Sequence, residues 1–102
     1  MYVAMNRFRV APGREETFVS VWRERESRLA AVPGFLRFRL LAGDGLFLSY
    51  SEWRAREDFV AWTESASFAQ AHANSKMPKG TLLGHPEFEG FEVAMEQVGS
   101  SR

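Results

Sequence analysis

Cysteine is absent from the 102 residues. That excludes a disulfide framework, a thiolate metal site and a cysteine nucleophile, and it fits a reducing, cytoplasmic setting. An excess of one charge is also missing, with 13 basic residues against 13 acidic ones. A nucleic-acid partner, which usually leaves a basic footprint, is therefore not expected. No apolar run approaches the roughly 18 to 20 residues that cross a bilayer. The opening MYVAMNRFRV lacks the basic start and long apolar stretch of a signal peptide. Phosphate-cradling glycine loops, dinucleotide fingerprints and Ser-His-Asp spacings do not occur, and Gly43-Asp44-Gly45 reads as a hairpin turn. Histidine is scarce, with only His72 and His85. Two histidines without cysteine make a poor closed zinc site, which wants four ligands. Iron in a porphyrin needs only one axial histidine, because the ring supplies four nitrogens.

Aromatics are plentiful: nine Phe, three Trp and two Tyr. They suit a large apolar pocket or an ordinary core equally well. The length predicts a single domain over 1–102 with a frayed tail at 99–102. So short a chain buries a modest core, and a dimer that hides more surface is expected. Tyr2 to Val10 reads as a strand whose residues divide into Tyr2, Ala4, Asn6, Phe8 and Val10 against Val3, Met5, Arg7 and Arg9. Pro12-Gly13 breaks it. A helix is predicted from about Arg14 to Ala31, with Phe18, Trp22, Leu29 and Val32 as its apolar stripe. Arg25 falls on that stripe and needs an anion, either a partner Glu or a ligand carboxylate, unless its tip reaches water. Pro33-Gly34 ends the helix. Phe35–Leu41 and Leu46–Trp53 read as a hairpin, the second strand apolar on both faces (Leu46, Leu48 and Tyr50; Phe47 and Trp53). One face of that strand should meet helices and the other a second subunit. Lys76 to Pro86 reads as a loop whose Met77, Leu82 and Leu83 form a flap or tuck into the core. Glu87 to Val98 is the last strand, with Phe91, Val93 and Met95 on one face. The order of elements predicts a ferredoxin-like α+β fold, an antiparallel sheet with helices on one face.

The stretch Arg56 to Ser75 holds the candidate site. In one straight helix Trp62 and His72 would stand about 15 Å apart along the axis and roughly 80° apart around it. Ser67 and Gln70 form a capping box that predicts a new helix from Ser67. A bend at Glu64 to Ser67 then lets both side chains point into one pocket, with Phe68 and His72 at i and i+4. On residue pattern alone His72 is a core histidine with a backbone partner or a ligand. Asn6 is unusual in a strand, and on an apolar face its amide needs partners. A hydrogen bond to a neighbouring loop would satisfy it. Glu52, Glu92, Arg7, Arg9, Arg37 and Arg39 read as cross-sheet or dimer-seam pairs, and His85 as a surface residue.

Asn6 near the start of strand one, Pro33-Gly34-Phe35, the strand end at Trp53 and the run Phe59-x-x-Trp62…Phe68-x-x-x-His72 together resemble the IsdG-type haem-degrading monooxygenases. These belong to the antibiotic biosynthesis monooxygenase superfamily of dimeric α+β barrels. The resemblance covers nearly the whole chain, and Asn6, Trp62 and His72 are its specific part. It implies an axial His72 on haem iron, Trp62 pressing on the porphyrin, and Asn6 as a distal hydrogen-bond donor towards dioxygen or water. Trp22 and Phe68 would line the haem site, and Arg25 matches a basic position near a propionate. Acidic Glu24 and Glu26 depart from that pattern. Haem would be substrate and cofactor, with molecular oxygen and electrons from an external reductase or small reductant. The product would be a bilin, with iron released by a homodimer. Two other activities share parts of this pattern: non-catalytic haem buffering, and cofactor-independent oxidation of quinols or polyphenols. An RNA-binding module shares the strand order, but the neutral charge of this chain and its lack of the aromatic signature on strand three weigh against that reading.

Overall fold

The computed structural model describes residues 1–25, 28–73 and 77–100. Glu26, Lys76 and the last two residues of the tail, all named above, lie outside the described residues. Four strands, β1 (Tyr2–Arg9), β2 (Phe35–Ala42), β3 (Leu46–Trp53) and β4 (Glu87–Glu92), form one antiparallel sheet in the order β2-β3-β1-β4. Helices α1 (Glu15–Glu24), α2 (Arg56–Thr63) and α3 (Ala66–Ala73) complete the ferredoxin-like α+β arrangement. Alternation along β1 and β3 sets the register. Tyr2 faces Trp53, Ala4 faces Ser51, Asn6 faces Ser49 and Phe8 faces Phe47, all on the helix side. The β2–β3 turn is closed by Gly43 N–H donating to Leu46 O at 2.7 Å, with Gly45 at φ 69°. That left-handed backbone is where glycine is favoured.

The core under the helices is divided in two. One half packs Tyr2, Ala4 and Trp53 with Leu29, Val32, Phe35, Phe59 and Trp62. The other packs Val10, Phe18 and Phe47 with Phe8, Val19, Trp22, Leu40, Met77 and Leu82. Between them on the central strands stand Asn6 and Ser49, too small and polar to join the halves. Among the described residues no helix covers the opposite face of the sheet. There Arg7 Nε meets Glu89 Oε1 at 2.9 Å, and Arg37 Nε meets Glu52 Oε2 at 2.9 Å. Tyr50 Oη donates to Glu52 Oε1 at 2.7 Å. Leu41 and Phe91 share that face and are 39% and 48% exposed.

Several boundaries differ from the sequence expectation. The first helix stops at Glu24, and Arg25 leaves it with φ −70° and ψ 118°. Leu29–Ala31 forms a separate single 3₁₀ turn. Leu29 and Val32 pack against the Trp53 half of the core, while Phe18 and Trp22 pack in the other half. A straight helix could not serve both halves, so tertiary packing overrides helix propensity. The α3 cap is Ser65 rather than Ser67: Phe68 N–H donates to Ser65 Oγ at 3.2 Å. The same hydroxyl donates to Trp62 O at 2.6 Å, tying the end of α2 to the start of α3, which Ser67, two residues further on, does not do. The last strand ends at Glu92 rather than Val98. Its partner β1 begins at Tyr2, opposite Glu92, so beyond it only Met1 O is left to accept Val93 N–H, at 2.9 Å. Met95 is accordingly 77% exposed. In the loop, Met77 and Leu82 join the core while Leu83 is exposed. Ala11 N–H to Thr81 O and Leu83 N–H to Arg9 O, both 2.8 Å, fix it to the end of β1.

Candidate active site

The divided core leaves a cavity of about 770 Å³ between helices and sheet. That lies in the upper part of the range for small-molecule sites, about 300–1,000 Å³. All six residues singled out from the sequence line it: Asn6, Trp22, Arg25, Trp62, Phe68 and His72. The sheet supplies the floor (Ala4, Asn6, Ser49, Ser51), α1 and its exit supply Trp22 and Arg25, and α2 and α3 supply the wall opposite.

The break between α2 and α3 brings Trp62 and His72 together, with ring centroids 6.5 Å apart. Phe68 stands between them, edge-on to Trp62 at 4.7 Å and 89°, and 3.9 Å from the His72 ring. Trp62 also leans on the fully buried Trp53 at 5.4 Å, so its indole is gripped from two sides. His72 Nδ1 lies 2.9 Å from Phe68 O. A carbonyl can only accept, so Nδ1 carries the proton and, in the neutral ring, Nε2 keeps its lone pair. This is the tautomer a metal-ligating histidine uses, its other nitrogen held by a backbone carbonyl. The donor set thus fits a single axial bond to a porphyrin iron. Among the described residues no group of three His, Cys, Asp or Glu side chains could hold a metal ion without such a ring.

Arg25 does not lie on a helical stripe as expected, yet it reaches the cavity. Its Cζ lies 4.7 Å over the Trp22 ring. Burial pulls its guanidinium below the usual arginine value. Among the described residues it has no ion-pair partner, so of the alternatives the sequence leaves open the glutamate is not found there. A half-buried cation on an aromatic face, open to a cavity, suits a ligand carboxylate. Asn6 is half-buried, and among the described residues its side chain makes no hydrogen bond to a loop or to anything else. His85 is exposed, as expected.

Two floor residues escaped the sequence reading. Ser51 Oγ accepts from Trp53 Nε1 at 2.9 Å and lies 3.4 Å from Ala4 O. Ser49, one alternation away, is 7% exposed. Both sit on the inward face of β3 between Phe47 and Trp53. Hydroxyls at inward positions of an apolar strand were the available signal.

Comparison with known proteins fits this geometry. Residues 1–74 match the family model described as antibiotic biosynthesis monooxygenase. A heme-degrading monooxygenase of Bacillus cereus is 28% identical over 80 residues, 72% of this chain and 73% of that protein. Among solved structures, the heme-degrader MhuD of Mycobacterium tuberculosis, with two hemes bound in its active site, superposes with a TM-score of 0.76 at 26% identity. That match covers 97% of this chain and 100% of MhuD. SnoaB of Streptomyces nogalater, a cofactor-independent oxygenase, shares the fold with a TM-score of 0.70 at 20% identity, over 93% of this chain and 94% of SnoaB.

Proposed function

From the premise that this chain belongs to the antibiotic biosynthesis monooxygenase family, we propose that it is a haem-degrading monooxygenase that opens the porphyrin to a bilin and releases the iron. The observation that carries this reading is the convergence, across one cavity, of a histidine with its Nε2 lone pair free, an indole held from two sides and an unpartnered strand amide. Haem, when bound, supplies the oxygen-activating centre and is itself the substrate. Everything else is the work of this chain's residues. His72 Nε2 would hold the haem iron, its ring oriented by the Phe68 carbonyl. Trp62 cannot easily retreat, because Trp53 and Phe68 back it, so a flat ligand must accommodate it. Asn6, on the sheet side, offers N–H donors to the face of the ring away from α3. Arg25 on Trp22 takes a propionate. The apolar walls keep out water that would divert activated oxygen. Molecular oxygen and an external reductant, a reductase or a small molecule, complete the reaction in a cytoplasmic setting.

A homodimer with one haem per subunit belongs to the same reading. The uncovered sheet face carries Val3, Met5, Leu48, Leu41 and Phe91 beside its ion pairs, and a second copy would bury it.

The test is haem titration followed by reductant in air. The wild-type protein should show a Soret band, then lose it with formation of a product of bilin mass. His72→Ala should abolish the band. Asn6→Ala and Trp62→Phe should keep it and slow the bleaching. Binding without bleaching would indicate a haem buffer. Absence of haem binding, with oxygen uptake on quinols or polyphenols, would indicate a cofactor-independent oxygenase and overturn the proposal.

A further inference from the structure

The inward face of β3 runs Phe47, Ser49, Ser51, Trp53, two large aromatics flanking two hydroxyls. Small residues at 49 and 51 are needed to leave room for the cavity, but alanine would do this equally well. A hydroxyl on an apolar floor carries a desolvation cost of roughly 1–3 kcal/mol unless it is hydrogen-bonded. Ser51 meets that cost by accepting the Trp53 indole N–H at 2.9 Å. Ser49 is placed differently: among the described residues its hydroxyl has no hydrogen-bond partner, and although the residue is 7% exposed the oxygen is not fully buried and opens into the cavity that the residue lines. It also faces Asn6 directly across the β1–β3 ladder. Facing residues on one side of a sheet have Cβ atoms about 4.5–5.5 Å apart, close enough for both side chains to reach one small molecule. The floor therefore presents two adjacent polar groups, an amide and a hydroxyl, neither with a hydrogen-bond partner among the described residues. His72 stands on α3, across the cavity from this pair.

We propose that Ser49 is a second polar residue of the distal wall, its Oγ–H donating alongside the Asn6 amide to the small ligand on the haem face away from His72. This rests on the haem reading given above and adds a residue to it. One hydrogen bond contributes a net of about 0.5–1.5 kcal/mol, a factor of about 2 to 10 in the affinity of a hydrogen-bond-accepting ligand. The serine hydroxyl can also donate to the Asn6 amide oxygen or accept from its NH2 group, directly or through one bridging water.

The test uses the full chain loaded with ferric haem and titrated with azide, a small anion that accepts hydrogen bonds. Ser49→Ala should weaken azide binding about 2- to 10-fold, Ser49→Thr should restore it, and Asn6→Ala should weaken it comparably. In the ferrous protein, the stretching frequency of bound carbon monoxide should rise in Ser49→Ala, as expected when a nearby donor is removed. If Ser49→Ala forms a normal Soret band and keeps wild-type azide affinity and carbon monoxide frequency, the proposal is overturned. The absence of any haem band in the wild-type protein would instead overturn the family reading on which the proposal rests.

Discussion

The two faces of the sheet are built from the same strands and alternate residue by residue, yet they meet different needs. The helix side is divided by small polar positions into two aromatic half-cores with a cavity between them. The other side is a continuous mixture of apolar side chains and ion pairs with no helix over it. On the covered face Ser51 is engaged with Trp53 and Asn6 and Ser49 line the cavity, while Trp22 Nε1 and Thr81 Oγ1 are buried without a hydrogen-bond partner among the described residues. On the uncovered face polar groups pair with one another across strands. The covered face encloses a cavity, and the open face is the one on which the proposed second copy would sit.

The sharpest way to break this contrast is to charge the open face. Leu41→Glu should weaken self-association by roughly 2 kcal/mol or more, because a carboxylate would be buried in the contact. Sedimentation at micromolar concentration would then show monomers. The single chain should stay folded, since Leu41 is already 39% exposed in it. An unchanged dimer would remove this face as the contact. Next in size is Ser51→Ala, which leaves the fully buried Trp53 indole N–H without an acceptor. Urea unfolding should show a loss of about 1–3 kcal/mol, while haem binding stays intact. Arg25→Ala should lower haem affinity about 5-fold, with a weaker salt dependence, and leave stability nearly unchanged. The smallest effect is expected at Arg7→Ala. Its pair with Glu89 is open to water on both sides, with side chains 43% and 45% exposed, so about 0.5 kcal/mol or less is expected. A larger loss in the dimer would mean that the second copy covers that pair.

Much of this contrast was legible before any coordinates. Alternation in β1 placed Asn6 on the helix side, and the doubly apolar β3 called for a cover on each face. The convergence of Trp62 and His72 followed from reading a break between them, although the wrong serine was given the cap. Ser67 has the better local pattern, but only Ser65 touches both helices. The end of α1 was not legible, because nothing between Arg23 and Arg28 opposes a helix as Pro or Gly would. The chain turns there because Leu29 and Val32 belong to the other half-core. Ser49 is only weakly marked by the sequence, because a serine on a strand that is apolar on both faces has no local pattern that sets it apart.

The turn at Pro33-Gly34 has a consequence for the cavity's height. Gly34 adopts φ 82°, and a Cβ there would collide with the Asp58 side chain on the first turn of α2. The Arg54 N–H also donates to Gly34 O at 2.7 Å. The missing methyl thus acts as a notch into which α2 drops, setting how low the roof that bears Trp62 can sit. Any bulk added at that notch would lift the roof, and one hydrogen atom thereby gauges the thickness of guest the chamber can admit.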